Sequence, residues 1–313
     1  ETRDEGKASG GVNRRVRPRM ADCGPLGRST SLVLTLMEET PTSRPASPTD
    51  ARPVRLSVIA PAHNEAENVE RLVDEIGAAL DGVSFEFLLV DDASTDETVR
   101  IAESLAESRP WLRVVSLARP AGGGGNGQSA AFKAGFAAAR GELVGSLDAD
   151  LQNDPADFPR LLAELDRTGA DFVQGDRSAA RREGDAWIRQ FTSIIGRWFR
   201  RMLLNDTIRD TGCSLRIMKR EIALRLPLEF KGAHRFIPVT ARQLGYTVVE
   251  LPVNHRSRHA GVPKYGAGIT KRAIPGLIDC FAIRWMGNRR RVPTSVVEVG
   301  AVDQPASRDE VHA

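Results

Sequence analysis

The sequence predicts an α/β fold: a mostly parallel β-sheet with helices on both faces, followed by amphipathic C-terminal helices. Three observations predict it. Between residues 56 and 174, short apolar runs alternate with segments whose apolar residues recur at helical spacing. The links between them are short, and repeated β-α-β with short links means a parallel sheet. Polar and acidic clusters fall just after the apolar runs, at the carboxyl ends of strands, where ligands bind in sheets of this kind.

The elements follow in order. Leu56–Ala60 is a short apolar strand, and Val69, Leu72, Val73, Ile76, Ala79 and Leu80 mark the helix behind it. Phe85–Val90 is the second strand. Ser94-Thr95-Asp96-Glu97 has capping-box spacing and opens a helix carrying Ile101, Ala102 and Leu105. Val114–Leu117 is the third strand, and Gln128–Ala139 a helix stopped by Gly141. Leu143–Leu147 is the fourth strand. Phe158, Leu161, Leu162 and Leu165 mark another helix, and Asp171–Gln174 another strand. After residue 175 the pattern changes. Trp187, Ile188, Phe191, Ile194, Ile195, Trp198, Phe199, Met202 and Leu203 form one helical stripe, and Ile274, Leu277, Ile278, Phe281, Ala282 and Trp285 a second. Each is bordered by arginines, so each reads equally as a core-facing helix or as a helix lying in a membrane interface. Residues 1–53 and 291–313 read as disordered tails, 54–267 as the folded domain, and 268–290 as an amphipathic helix suited to a membrane surface.

Composition narrows the function. The chain has 313 residues, 41% of them hydrophobic, and a net charge of +3. That charge is unevenly spread: residues 177–220 hold eleven Arg and Lys against four Asp and Glu, and residues 254–290 hold eight against one. Positive potential in the C-terminal half suits phosphates or anionic lipid. Aromatics are only 5% and do not interleave with the basic residues, which argues against nucleic acid. The three cysteines are widely spaced with no CxxC pair, so a zinc site or disulfide framework is not expected and a reducing cytosol is. No run of about 18 apolar residues is present, and the stretch from Leu32 to Met37 is too short for a signal-peptide core.

The most informative segment is Ser146-Leu147-Asp148-Ala149-Asp150-Leu151-Gln152, at the end of the fourth strand. Extended chain puts Asp148 and Asp150 on one face. Two carboxylates so close call for a cation, and hard oxygen ligands suit Mg²⁺ or Mn²⁺ shared with substrate phosphates. The alternative is a polar loop that caps the next helix, with Asp154-Pro155 starting it. Gly122–Gly125 with Asn126-Gly127-Gln128 is not a dinucleotide motif, because it follows the third strand rather than the first; it reads as a flexible insertion before a helix.

Pro61-Ala62-His63-Asn64-Glu65, Val90-Asp91-Asp92-Ala93-Ser94-Thr95-Asp96 and Asp148-Ala149-Asp150-Leu151-Gln152 together resemble the nucleotide-sugar site of inverting family-two glycosyltransferases with the GT-A fold. Asp210-Thr211-Gly212-Cys213-Ser214-Leu215-Arg216 and the segment from His255 to Gly266 are similar to the polyprenyl-phosphate branch, which includes dolichol-phosphate mannose synthase and undecaprenyl-phosphate glycosyltransferases. The resemblance implies a nucleotide pocket lined by Pro61, His63, Glu65, Val90 and Asp92, with His63 standing where the family has an aromatic. It implies that Asp148, Ala149, Asp150 and Gln152 hold the donor diphosphate and the metal. Arg177, Arg189, Arg256, Arg258 and Lys264 are the cations expected to align an acceptor phosphate, Arg through its planar fork. Pro263 stands where the family often has Ser.

The expected function is metal-dependent transfer of a hexose, mannose or glucose first, from a nucleotide diphosphate sugar to a polyprenyl phosphate. It would act in the cytoplasm, peripherally at the inner face of the cytoplasmic membrane, through its own helices or a membrane partner. A phosphate acceptor is already a nucleophile and needs no general base. One rival is transfer to a sugar hydroxyl, for which Asp210 is the obvious base. Another is a silent nucleotide-sugar binding protein docked at membranes.

Overall fold

The structure, a computed structural model, describes residues 53–179, 199–257 and 269–291, and of residues 269–274 the backbone alone. Apart from residues 53 and 291, the expected tails lie outside the described residues. Five strands and four helices alternate first: β1 (Leu56–Ala62), α1 (Ala66–Ala79), β2 (Phe85–Asp91), α2 (Thr98–Ser108), β3 (Leu112–Ser116), α3 (Gln128–Ala138), β4 (Leu143–Ser146), α4 (Phe158–Thr168) and β5 (Phe172–Asp176). Then come β6 (Arg216–Lys219), α5 (Arg220–Arg225), α6 (Ile237–Gln243), β7 (Val248–Pro252) and α7 (Ile269–Arg289), with residues 199–204 helical before β6.

The seven strands form one sheet in the order β3-β2-β1-β4-β6-β5-β7. The β1–β2, β1–β4, β2–β3 and β5–β7 pairs are parallel, and β6 runs antiparallel to both β4 and β5. The two faces are covered as the strand alternation requires. Leu56, Val58 and Ala60 share a buried cluster with Val69, Leu72 and Ile76 of α1 and with Phe158 and Leu161 of α4. Ile59, Leu88 and Val90 join Phe132 and Phe136 of α3, Ile222 of α5 and Ile237 of α6 on the other side. Burial of a large apolar side chain contributes about 1.5–3 kcal/mol, so each face is a substantial source of stability.

Two expectations change. The capping box at Ser94–Glu97 does not form: α2 starts at Thr98, whose amide and hydroxyl both donate to Asp96 Oδ1, while Ser94 Oγ accepts from the Asn64 amide instead. The polar turn after β2 is thus consumed in pinning the turn after β1. The second helical stripe is not the core face of α7. Its residues Leu277, Ile278, Phe281 and Trp285 are exposed, and Cys280 and Ile283 pack on Phe236 and Val239 instead. Of the first stripe, Phe199 and Leu203 pack partly against that cluster and Met202 is exposed; residues 187–198 lie outside the described residues. No helix among the described residues is long and apolar enough to cross a membrane.

Candidate active site

Parallel pairing puts the motif residues at one edge of the sheet. Pro61 and Ala62 lie opposite Val90 and Asp91, and Ile59 lies opposite Ser146 just before Leu147-Asp148. The turns after β1, β2 and β4 therefore converge, as the spacing predicts.

On the β1–β2 side, the Asp92 amide donates to Ala62 O at 2.8 Å, and His63 Nδ1 sits 2.6 Å from Asp92 O. A carbonyl only accepts, so that contact makes His63 Nδ1 the protonated ring nitrogen. The Glu65 carboxylate accepts from Asn68 Nδ2, and Glu65 N donates to Thr98 Oγ1. Val90 is fully buried. Asn64 and Ala93 both have positive φ, 55° and 59°, which turns the chain sharply after each strand.

On the β4 side, Asp148 and Asp150 are half-buried and Ala149 is buried between them. Asp148 Oδ1 accepts from Gln128 Nε2 at 2.6 Å, and Asp150 Oδ1 from the Gln152 amide at 3.2 Å. Leu151, at φ 60°, bends the chain between Asp150 and Gln152. Asp154 caps the turn at Pro155–Asp157, so the helix-starting role expected of Asp154-Pro155 coexists with the paired carboxylates. The bridge Asn153–His255 and the bond from Arg256 N to Gln152 O hold the segment after β7 against this turn.

The cations are less free than composition suggests. Arg177 is buried, with Nε 2.8 Å and Nη2 3.3 Å from the two oxygens of Asp210. Burial opposes its charge, but Cys213 and Asp210, with Asp148 beyond, outweigh that and raise its pKa. Arg256, expected at the acceptor phosphate, is ion-paired with Glu75 and Asp154, each at 2.6 Å, and so ties the β7 end to α1 and the β4 turn. Arg189, Arg258 and Lys264 lie outside the described residues.

Five residues escaped sequence reasoning as site components. Arg216 is 2% exposed, donates through Nε to Ser214 O and through Nη2 to Cys213 O, and leaves Nη1 without a hydrogen bond. Burial pulls its pKa down to about 10, so it stays a cation at neutral pH, within the field of Asp148 and Asp210. Cys213 is a buried thiol pushed up to about 11 by burial, too poor an acid to act as a nucleophile. Gln128 holds Asp148, and beside it Ser129 Oγ lies 2.9 Å from His234 Nδ1. Burial, helped by Arg235 and Arg216, pushes His234 down to about 3, so it is neutral. The quoted motif around Arg216 was the available signal; for Gln128, Ser129 and His234 there was none. Among the described residues, no three His, Cys, Asp or Glu side chains form a metal cage. A cavity of about 570 Å³ lined by Lys133, Leu224, Arg225, Trp285 and Arg290 does not include the motif residues.

An acidic turn pair at the carboxyl edge of a mostly parallel sheet is what the resemblance to GT-A glycosyltransferases implies. The fold agrees with solved structures. It superposes on a glucosyl-3-phosphoglycerate synthase from Mycobacterium tuberculosis in complex with Mn²⁺, UDP and phosphoglyceric acid, with TM-score 0.55, 22% identity and coverage of 74% of this chain and 78% of that one. It also superposes on a mannosyltransferase from Pyrobaculum calidifontis in complex with GDP-Man and Mn²⁺, with TM-score 0.53, 22% identity and coverage of 79% and 69%. Residues 57–226 match the Glycosyl transferase family 2 domain, and the chain belongs to that family. A dodecaprenyl-phosphate galacturonate synthase of Rhizobium johnstonii is 35% identical over 237 residues, 72% of this chain and 66% of that protein. An undecaprenyl-phosphate 4-deoxy-4-formamido-L-arabinose transferase of Edwardsiella ictaluri is 34% identical over 228 residues, 72% and 67%. The chain thus spans about two thirds of the length of these curated relatives.

Proposed function

We propose that this glycosyltransferase moves a sugar from a nucleotide diphosphate donor to a polyprenyl phosphate. The observation that carries the donor half is the Asp148–Asp150 pair at the end of β4, beside the turns after β1 and β2. The acceptor half is supported by the two polyprenyl-phosphate relatives and, among the described residues, by Asp210, the candidate base for a hydroxyl acceptor, being tied to Arg177.

The donor set fits a hard divalent cation, since it is all oxygen and carries two carboxylates. Asp148, Asp150 and Gln152 would hold Mg²⁺ or Mn²⁺, which when bound neutralises charge developing on the departing nucleoside diphosphate. The chain's own residues do the rest. Pro61, His63, Glu65, Val90 and Asp92 form the nucleotide side. The buried Arg177–Asp210 pair and Arg216 fix the 210–214 turn beside Asp148. A phosphate oxygen of the lipid attacks the anomeric carbon as the bond to the nucleoside diphosphate breaks, inverting that carbon; no proton need move. Lys264, Arg189 and Arg258 are the cations proposed to align the lipid phosphate. The exposed face of α7 is proposed to rest on the cytoplasmic membrane surface, where such an acceptor resides.

The sugar is proposed to be a hexose, with mannose and glucose first. The test is nucleoside diphosphate release from a donor panel that also includes the galacturonate and formamido-arabinose donors, with a short polyprenyl phosphate as acceptor. Release is expected to need both the phosphate and Mg²⁺ or Mn²⁺, and to vanish in Asp150→Ala. Full turnover in EDTA would refute the metal role; equal turnover with dephosphorylated polyprenol would refute the acceptor.

A further inference from the structure

The run Gly122–Gly125 reads from sequence as a loose insertion, and the proposed reaction gives it no task. Its geometry says otherwise. Asp92, 6% exposed, accepts from the Asn126 amide at 2.6 Å, from Asn126 Nδ2 at 3.1 Å and from the Gly127 amide at 2.7 Å. Charge-assisted bonds of this length are the strong kind, and they take three of about four acceptor sites on the carboxylate. Residues 121–127 are exposed, so burial does not hold them. Asp92 does, together with Arg119 Nη2 on the Ala93 and Ser94 carbonyls and Asn126 Nδ2 on Ala118 O. Glycine is required for this path. A Cβ on Gly125 would stand 2.5 Å from Asp92 Oδ2 and 2.9 Å from Asp92 O, and Gly123, Gly124 and Gly127 have φ of 75°, 71° and 94°. The next residue, Gln128, donates to Asp148 Oδ1 at 2.6 Å.

We infer that Gly122–Gln128 is a strap joining the carboxylate after β2 to the carboxylate after β4, with Asn126 and Gln128 as positioning residues for the donor. Asp92 acts through the strap: it fixes Asn126 and Gly127, which set the start of α3, which places the Gln128 amide on Asp148 and fixes that carboxylate's orientation. The inference rests on the proposed donor role of Asp148.

Hydrogen exchange on the full chain without ligand reads the strap, and calorimetric titration with UDP, GDP and CDP, each with Mn²⁺, reads the site. Gly125→Ala keeps both carboxylates in the sequence but sets a methyl carbon against Asp92, so the chain cannot keep the path. Its amides at 118–128 are expected to exchange at least tenfold faster and its nucleotide affinity to fall about tenfold, with circular dichroism unchanged. Gln128→Ala keeps every glycine and is expected to weaken nucleotide binding about threefold without changing strap exchange, which a purely structural role would not do. In turnover, the donor KM should rise while the acceptor KM stays at the wild-type value. Loosened strap amides with wild-type nucleotide affinity, or with tighter binding, would overturn the strap. Wild type that binds none of the three nucleotides would instead overturn the donor reading on which it rests.

Discussion

Asp91, which ends β2, and Asp92 and Asp96 after it accept from backbone amides: Ser94 for the first, Asn126 and Gly127 for the second, Ala66 and Thr98 for the third. The arginines of the later segments are held differently. Arg177 and Arg200 are locked on Asp210 and Asp206, Arg256 on Glu75 and Asp154, and Arg216 on carbonyls. Backbone amides satisfy a carboxylate without cancelling its charge, whereas a carboxylate partner cancels an arginine's. The acidic turns therefore keep their negative potential toward a cation. Among the described residues, Arg177, Arg200 and Arg256 use their charge on internal carboxylates and add less positive field than a count of basic residues implies.

The largest expected effect breaks the buried side of this contrast. Arg177→Met strands the Asp210 carboxylate in the interior, and loss of one partner of a buried pair costs about 3–5 kcal/mol. Urea unfolding should show it, and adding Asp210→Asn should recover part. A loss near zero would mean that Asp210 is already satisfied by other donors. Next comes the acceptor. Lys264→Ala is expected to cut transfer to lipid phosphate about ten- to a hundredfold while sparing nucleotide affinity, the effect of one charge-assisted contact. Arg256→Ala, whose partners are carboxylates and whose side chain is 33% exposed, should shift stability by about 1 kcal/mol or less and leave the acceptor KM within about twofold. Equal losses in the two variants would place Arg256 back at the lipid phosphate. The smallest effect concerns α7. Phe281→Glu with Trp285→Glu changes two exposed side chains, so the fold should hold and sedimentation with anionic vesicles at low salt should weaken several-fold. Undiminished sedimentation would move any membrane contact elsewhere.

The strands and helices up to β5 were legible because each is written locally, the strands as short apolar runs and the helices as a 3.6-residue period. β6 and β7 were not. Their assignment depends on partners far away in the chain, such as Met218 on Val144 and Val248 on Phe172. The turns proposed to hold the donor were legible for the same reason as the early strands: Asp148 and Asp150 are close in sequence. The partners that decide a charge's role were not, since Arg177 meets Asp210, Arg256 meets Glu75, and Asp92 meets Asn126 only through the fold. The membrane-or-core ambiguity of the Ile274–Trp285 stripe had the same root, because periodicity shows that a face exists and not what covers it.

The position of β6 has a consequence for the order in which the molecule can be made. By Ser146 the ribosome has delivered β3, β2, β1 and β4, a sheet whose β4 edge is unpaired. β5 emerges next, yet both of its neighbours, β6 and β7, come later in the chain. Until Arg216–Lys219 has been synthesised and has threaded between them, the β4 edge and the Phe172–Val173 stretch remain open to other chains, and open edges recruit strands. A nascent chain stalled or cleaved before Arg216 would thus carry two open strand edges at once, one on β4 and one on β5.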